Sequence, residues 1–330
     1  MANDSKQLIA ELRRAGFSTA AIQAAWPSWW TEEADASPSG RAELRFALAR
    51  RLGLEPKPLL GERVEFVWND EARFKHLSVE DGTTRAALTS FGVSVGRLLL
   101  QAVPRVSLAS ASAEQLRNAI LTNQPFVDLT SLVATCWGLG VPVIHLRVLP
   151  LEAKSMHAMV VGVDGRFAVL LARDASYPAP VAFTLAHELG HVLCGHLAGA
   201  PALVDVEDPA FALERDEQEM EADCFALTLL TGSSNPDIQT NVEEFNAPTL
   251  AGAVLKASAE YGVEPGTLAL CLAYRRKNWP VAMSALRFIY SQPRPIWQHI
   301  NGIANSQLDW SALSEEGADY LQNVMGGTSI

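Results

Sequence analysis

Residues 187–191 read His-Glu-Leu-Gly-His, and a second run, Glu219-Met220-Glu221-Ala222-Asp223-Cys224-Phe225-Ala226, repeats the same four-residue spacing with carboxylates. These two segments constrain the fold most, because each has to be a helix before its side chains can converge. Residues four apart on a helix lie one turn above each other on one face, so His187 and His191 can turn two imidazole nitrogens toward one ion. Two imidazoles are one ligand short of a catalytic zinc site, which takes three protein ligands and leaves a fourth position for water. Glu219 is the expected third ligand. Asp223, one turn further along, is placed to accept the free ring N–H of His187, which would fix that ring's tautomer and raise its basicity. Ala222 and Ala226 are small enough to let the second helix approach the first. Glu188, beside the histidine face, is the expected catalytic residue: zinc brings a water's pKa toward neutrality, and a carboxylate there can take its proton. Glu221 points away from Glu219 and is expected on the solvent side or behind the ligands.

Each run has a bland reading when taken alone. His-Glu-x-x-His arises by chance in some chains, and most acidic runs are solvated helix faces. Both in order, with a loop long enough to fold one helix onto the other, favour the metal site. A metzincin would need glycine at 194 and histidine at 197, where this chain has Cys194 and Leu197. A deformylase-like site would recruit Cys136 as the third ligand and would leave Glu219 without a role.

With these residues in view, the chain resembles the ImmA/IrrE metallopeptidases, a gluzincin-type group with a His-Glu-x-x-His and Glu-x-Glu-Ala-Asp pair of motifs. The resemblance covers about residues 130–235. It implies zinc held by His187, His191 and Glu219, and a proteolytic activity that cuts helix-turn-helix repressors and so releases stress, mobile-element or antiphage-defence genes.

The net charge of −11 is unevenly placed: residues 1–75 balance 11 basic against 11 acidic side chains. Much of the excess falls between Asp205 and Asp223, where Asp205, Glu207, Asp208, Glu214, Asp216, Glu217, Glu219, Glu221 and Asp223 face one base, Arg215. Such a rim is expected to attract a basic protein and repel nucleic acid phosphate. The polar opening segment and the lack of a long apolar run predict a cytoplasmic protein with no membrane contact. Cys136, Cys194, Cys224 and Cys271 form no CxxC pair, as befits reduced thiols. Each reads first as a small buried hydrophobe; for Cys136 a second reading is a regulatory thiol, occupying the open zinc position until displaced or oxidised.

At 330 residues, two or three domains are expected: a helical, helix-turn-helix-like region at 1–75, a zinc peptidase domain at 76–240 and a C-terminal helical region at 241–330. In the first, helices are predicted over 4–15, 18–25 with Ser18 as cap, and 41–52 ended by Gly53. The stretch where base-reading Arg, Lys, Asn or Gln should stand holds Trp26, Trp29 and Trp30 instead, so this region reads as an interaction module in preference to a DNA-binding one. Further on, Ser112 and Asp128 open helices, Val141 to Val148 reads as a strand, and His157–Val163 and Phe167–Leu171 flank an Asp164-Gly165 hairpin turn. One sheet edge is expected to accept an extended peptide. The remaining candidates for oxyanion stabilisation are His145, His157, Tyr177 and His196.

The fold expected is therefore α+β, mainly helical, with a small sheet packed on the zinc helix and helical regions on either side. The function expected is zinc-dependent endopeptidase action on a helix-turn-helix repressor. The alternative is a transcriptional regulator or protein-binding sensor whose zinc domain is structural or inactive.

Overall fold

The computed structural model describes residues 3–61, 63–68, 72–75, 82–152, 156–205, 216–238 and 244–327. The chain opens with α1 (Asn3–Arg14), α2 (Thr19–Ala25), α3 (Glu32–Ala36), α4 (Pro38–Leu52) and α5 (Pro56–Leu60). It continues through β1 (Arg73–Lys75), α6 (Gly82–Gln101), α7 (Ala113–Leu121), α8 (Leu129–Gly138), β2 (Val143–His145), β3 (Ala158–Val163) and β4 (Arg166–Leu171). Then come α9 (Pro178–Leu193), β5 (Ala202–Asp205), α10 (Glu217–Thr231), α11 (Ala247–Tyr261), α12 (Pro265–Arg276), α13 (Trp279–Ile289), α14 (Ile296–Gln307) and α15 (Glu315–Val324). The fold is mainly helical α+β, as the motif pattern predicts.

Local chemistry sets many of these boundaries. The Ser18 hydroxyl caps α2 by accepting the Ala21 N–H, and Ser112 with Gln115 and Asp128 with Ser131 make reciprocal capping boxes at α7 and α8. Asp164 and Gly165 both adopt positive φ, 51° and 73°, the conformation a two-residue hairpin turn requires.

The five strands lie in the order β1-β5-β3-β4-β2, with β3 antiparallel to both neighbours and the outer pairs parallel. Side chains alternate between the faces. Met159, Val161, Ala168, Leu170, Ala202 and Val204 point into one core, while Ala158, Val160, Val169, Leu171 and Leu203 point into a second, which contains α9. On the first face α6 lies directly on β3, because Gly92 and Gly96 offer no side chain where Met159 and Val161 press against it. β2 is shorter than predicted: after Leu146 the chain leaves the sheet, and the N–H groups of Arg147 and Val148 turn to the Val324 carbonyl.

Packing crosses the domain limits expected near 75 and 240. The first core is shared by Leu8, Leu12, Leu44 and Leu48 of the N-terminal helices, the sheet, and Tyr320, Leu321 and Val324 of α15. The tryptophan stretch packs half-buried against this core; Trp29 Nε1 donates to Glu316 at 2.6 Å, and Arg51 bridges the Ala25 and Glu316 carbonyls. Part of the surface expected to meet a partner is thus occupied by the chain's own α15. By contrast, α11, α12 and α13 form a cluster of their own around Leu250, Val254, Leu268, Leu272 and Ala285.

The β2 edge of the sheet is closed. The Asn301 side chain on α14 accepts the His145 N–H at 2.7 Å and donates to the His145 carbonyl at 2.8 Å, the pairing that an added strand would need. Among the described residues, no helix is long and apolar enough to cross a membrane.

The close approach of α9 and α10 depends on Gly190. A Cβ there would stand 3.2 Å from the Ala222 backbone and from Phe225 Cβ, tighter than ordinary contact. Replacing Gly190 with Val forces the helices apart, with an expected loss of about 1–3 kcal/mol. Urea titration of the metal-free variant measures that loss, and an unchanged midpoint would contradict the packing argument.

Candidate metal centre

α9 carries His187, Glu188 and His191 in its interior turns, and its buried surface includes all three. α10 crosses it with Glu219 in its first turn, held in place by the Asp216 side chain, which accepts the Glu219 N–H. β5 ends on Asp205, whose carbonyl accepts the His157 N–H. Three elements therefore deliver side chains to one point.

The imidazole nitrogens His187 Nε2 and His191 Nε2 lie 3.0 Å apart. Glu219 spans them, with Oε2 3.3 Å from His187 Nε2 and Oε1 3.5 Å from His191 Nε2. Asp205 Oδ2 lies 3.6 Å from His187 Nε2. These four residues form one group of donor atoms, all within 4.8 Å of one another, and all are buried.

Behind the ring nitrogens a second set of contacts fixes orientation. Asp223 Oδ1 lies 3.0 Å from His187 Nδ1. A carboxylate there accepts the Nδ1 proton and leaves the Nε2 lone pair directed at the cluster. On the other ring, His191 Nδ1 meets His196 Nδ1 at 2.8 Å, and His196 Nε2 meets Glu221 Oε2 at 2.9 Å. With His191 donating, His196 accepts on Nδ1 and donates from Nε2 to Glu221.

The electrostatics call for a cation. Glu188 is fully buried, with no hydrogen-bond donor to either carboxyl oxygen among the described residues. Burial and the neighbouring Asp205 carboxylate push its pKa well above the usual carboxylate range. Burial disfavours charge on His187, yet hydrogen bonds to Asp223 and Glu219 outweigh it and hold that imidazole up to about 10. Positive charge is thus favoured at the point where the Nε2 atoms and carboxylates meet. Two imidazoles with one or two carboxylates are a donor set suited to zinc, so these residues fit that ion.

The structure adds Asp205 to the donor group and pairs His196 with Glu221, two links that the sequence motifs do not encode. Asp205 was grouped with a surface acidic run, yet it is 1% exposed. Its signal was an acid closing the apolar stretch Ala202-Leu203-Val204. Glu219 and Asp223 are likewise inside, so the acidic rim shrinks to Asp216, Glu217 and Glu221 among the described residues. Glu207, Asp208, Glu214 and Arg215 lie outside them.

Cys136 is packed on α8 in the second core with Leu132, Val133 and Val143, and burial pushes its thiol up to about 12. The structure does not bring it into the donor group. Both ring nitrogens of His145 contact backbone carbonyls, those of Leu146 and Arg173, and Tyr177 stacks on Tyr290. His157 is closer to the chemistry. Its Nε2 lies 2.9 Å from the Thr184 hydroxyl, and burial, Arg173 and His187 push its pKa down to about 3, leaving a neutral ring.

A cavity of about 600 Å³ opens beside the cluster, walled by Phe183, Met220, Asp223, Leu227 and Trp279. A second, of about 230 Å³, shares Arg173 and Pro180 with it and reaches His157.

Replacing His196 with Phe removes the acceptor from His191 while keeping a planar ring in place. Metal affinity is expected to fall about 10-fold, read by competition with a chromophoric chelator. An unchanged affinity would mean that the His191 orientation is set elsewhere.

Residues 140–237 match the family model described as an IrrE N-terminal-like domain. That stretch runs from before β2 to beyond α10 and so contains every member of the donor group. The radiation response metalloprotease IrrE of Deinococcus radiodurans is 31% identical over 169 residues, which are 50% of this chain and 46% of that protein. The chain therefore spans about half the length of that relative.

Proposed function

We propose that the chain is, through residues 140–237, a member of the ImmA/IrrE metallopeptidase family and, on that premise, a zinc-dependent endopeptidase acting on a helix-turn-helix transcriptional repressor. The observation that carries the reading is the convergence of His187, His191 and Glu219 with the buried Glu188 carboxyl next to them. Zinc, when bound by those three, supplies Lewis acidity toward the scissile carbonyl and a water of lowered pKa. Glu188 then takes the proton of the attacking water and passes it to the leaving amine. Asp223 and His196 keep the two imidazoles oriented. His157, neutral and beside His187, is the side chain best placed to donate toward an oxyanion.

The substrate reading draws on charge as well as family. A chain of net charge −11 attracts a basic DNA-binding protein and repels phosphate, and the cavity along α9 suits a locally unfolded segment of it. Such an enzyme works in the cytoplasm, where cutting the repressor derepresses stress, mobile-element or antiphage-defence genes.

Incubating the zinc-loaded protein with the helix-turn-helix repressor encoded nearest to it tests this, with intact mass as the readout. Discrete cleavage that a chelator abolishes is the expected result. An intact repressor under conditions where other polypeptides are cut would overturn the substrate assignment and leave the peptidase.

A further inference from the structure

Beside the first donor group the described residues bring together a second: Cys194, His196 and Glu221, whose donor atoms also lie within 4.8 Å of one another. The trio is rigidly framed. Cys194 directly follows α9, and Glu221 sits on α10, which is packed across it. Between them Gly195 turns the chain at φ 76°, and the His196 N–H bonds back to the His191 carbonyl. The Arg73 guanidinium holds the His196 carbonyl from the far side at 2.8 Å. His196 is buried, Cys194 half-buried and Glu221 exposed, so the group opens to solvent on its carboxylate side.

We propose that Cys194, His196 and Glu221 form a second site, for a thiophilic divalent cation such as Zn²⁺, and that filling it works against the first. The antagonism rests on His191 being a ligand of the first ion. Thiolate, imidazole and carboxylate are the donor types zinc accepts, and three of them leave a fourth position for water. On binding, the thiol proton passes to solvent and His196 Nε2 turns its lone pair to the ion.

The coupling follows from the single proton a neutral imidazole carries. With His196 ligating through Nε2, its proton sits on Nδ1. His191, ligating the first ion through Nε2, also keeps its proton on Nδ1. Two N–H groups would then face each other across the 2.8 Å where one hydrogen bond stood. Each ion therefore weakens the other, and linkage makes the penalty equal in both directions, here about 10-fold. An excess of zinc becomes an inhibitor of the enzyme that needs it.

The test titrates metal-free protein with Zn²⁺ against a chelator and with Co²⁺ by absorption, in wild type and in Cys194→Ser. Two equivalents are expected in wild type, the second weaker, with a thiolate-to-cobalt band growing only as the second binds and peptidase activity falling with it. Cys194→Ser should keep the first equivalent and basal activity and lose both the band and the inhibition. One equivalent without a thiolate band, or inhibition that persists in Cys194→Ser, overturns the second site and leaves the peptidase reading standing. A thiolate band on the sole equivalent bound supports the trio and sinks the peptidase reading instead.

Discussion

Glu188→Gln is expected to lower peptide cleavage about 10³-fold while the protein still binds zinc as wild type does. The two results belong together because, in the proposed site, Glu188 stands beside the ligands and is not one of them. Glutamine keeps the shape and loses only the ability to take up and release a proton. The environment of Glu188 adds a control against misfolding. In the metal-free protein its pKa is pushed well above the usual range by burial and then by Asp205, so the folded state holds a proton that the unfolded chain has already released. That difference costs stability as pH rises above the unfolded value toward the folded one. Removing the carboxyl at neutral pH should therefore leave the metal-free protein equally or more heat-stable. Zinc content by elemental analysis, repressor cleavage and a melting curve are the three readouts. Retained cleavage would sink the mechanism; lost zinc would mean that Glu188 is itself a ligand.

Glu219→Ala should abolish zinc binding at the His187–His191 site, and Asp205→Asn should not. Glu219 reaches both imidazoles, at 3.3 and 3.5 Å, whereas Asp205 stands further off, 3.6 Å from His187. Bound metal at a thousandfold excess over its dissociation constant stabilises a folded protein by about 4 kcal/mol. In a Cys194→Ser background, which lacks the thiolate of the second site, added zinc should accordingly raise the melting temperature of the parent and of Asp205→Asn, and leave Glu219→Ala unmoved. Full zinc in Glu219→Ala with loss in Asp205→Asn would exchange the two roles.

How far such a centre can be read from a sequence depends on what brings each residue to it. His187 and His191, and Glu219 and Asp223, are paired by helix periodicity, which four-residue spacing displays directly. Ala222 announced a close helix crossing for the same reason, although the partner it meets, Gly190, emerges only from the packing. The β3–β4 hairpin was legible because Asp-Gly encodes its own turn. Asp205 was not, because its position depends on a four-residue strand pairing with β3 on one side and β1 on the other, and no local pattern encodes pairing at that distance. The link from His191 through His196 to Glu221 was hidden similarly. His196 lies past the end of its helix, where periodicity lapses, and the four-residue spacing that puts Glu221 on the solvent side or behind the ligands does not name His196 as its partner. The tryptophan stretch gave no hint that its partner, Glu316, lies 287 residues away.

That last distance has a consequence for the birth of the protein. At about 5–20 residues per second, the ribosome needs roughly 15–60 s after making Trp29 before Glu316 exists. During that interval the helices around Trp26, Trp29 and Trp30 lack the wall supplied by α15, and their apolar side is open to chaperones. These helices thus emerge well before the segment that completes their packing.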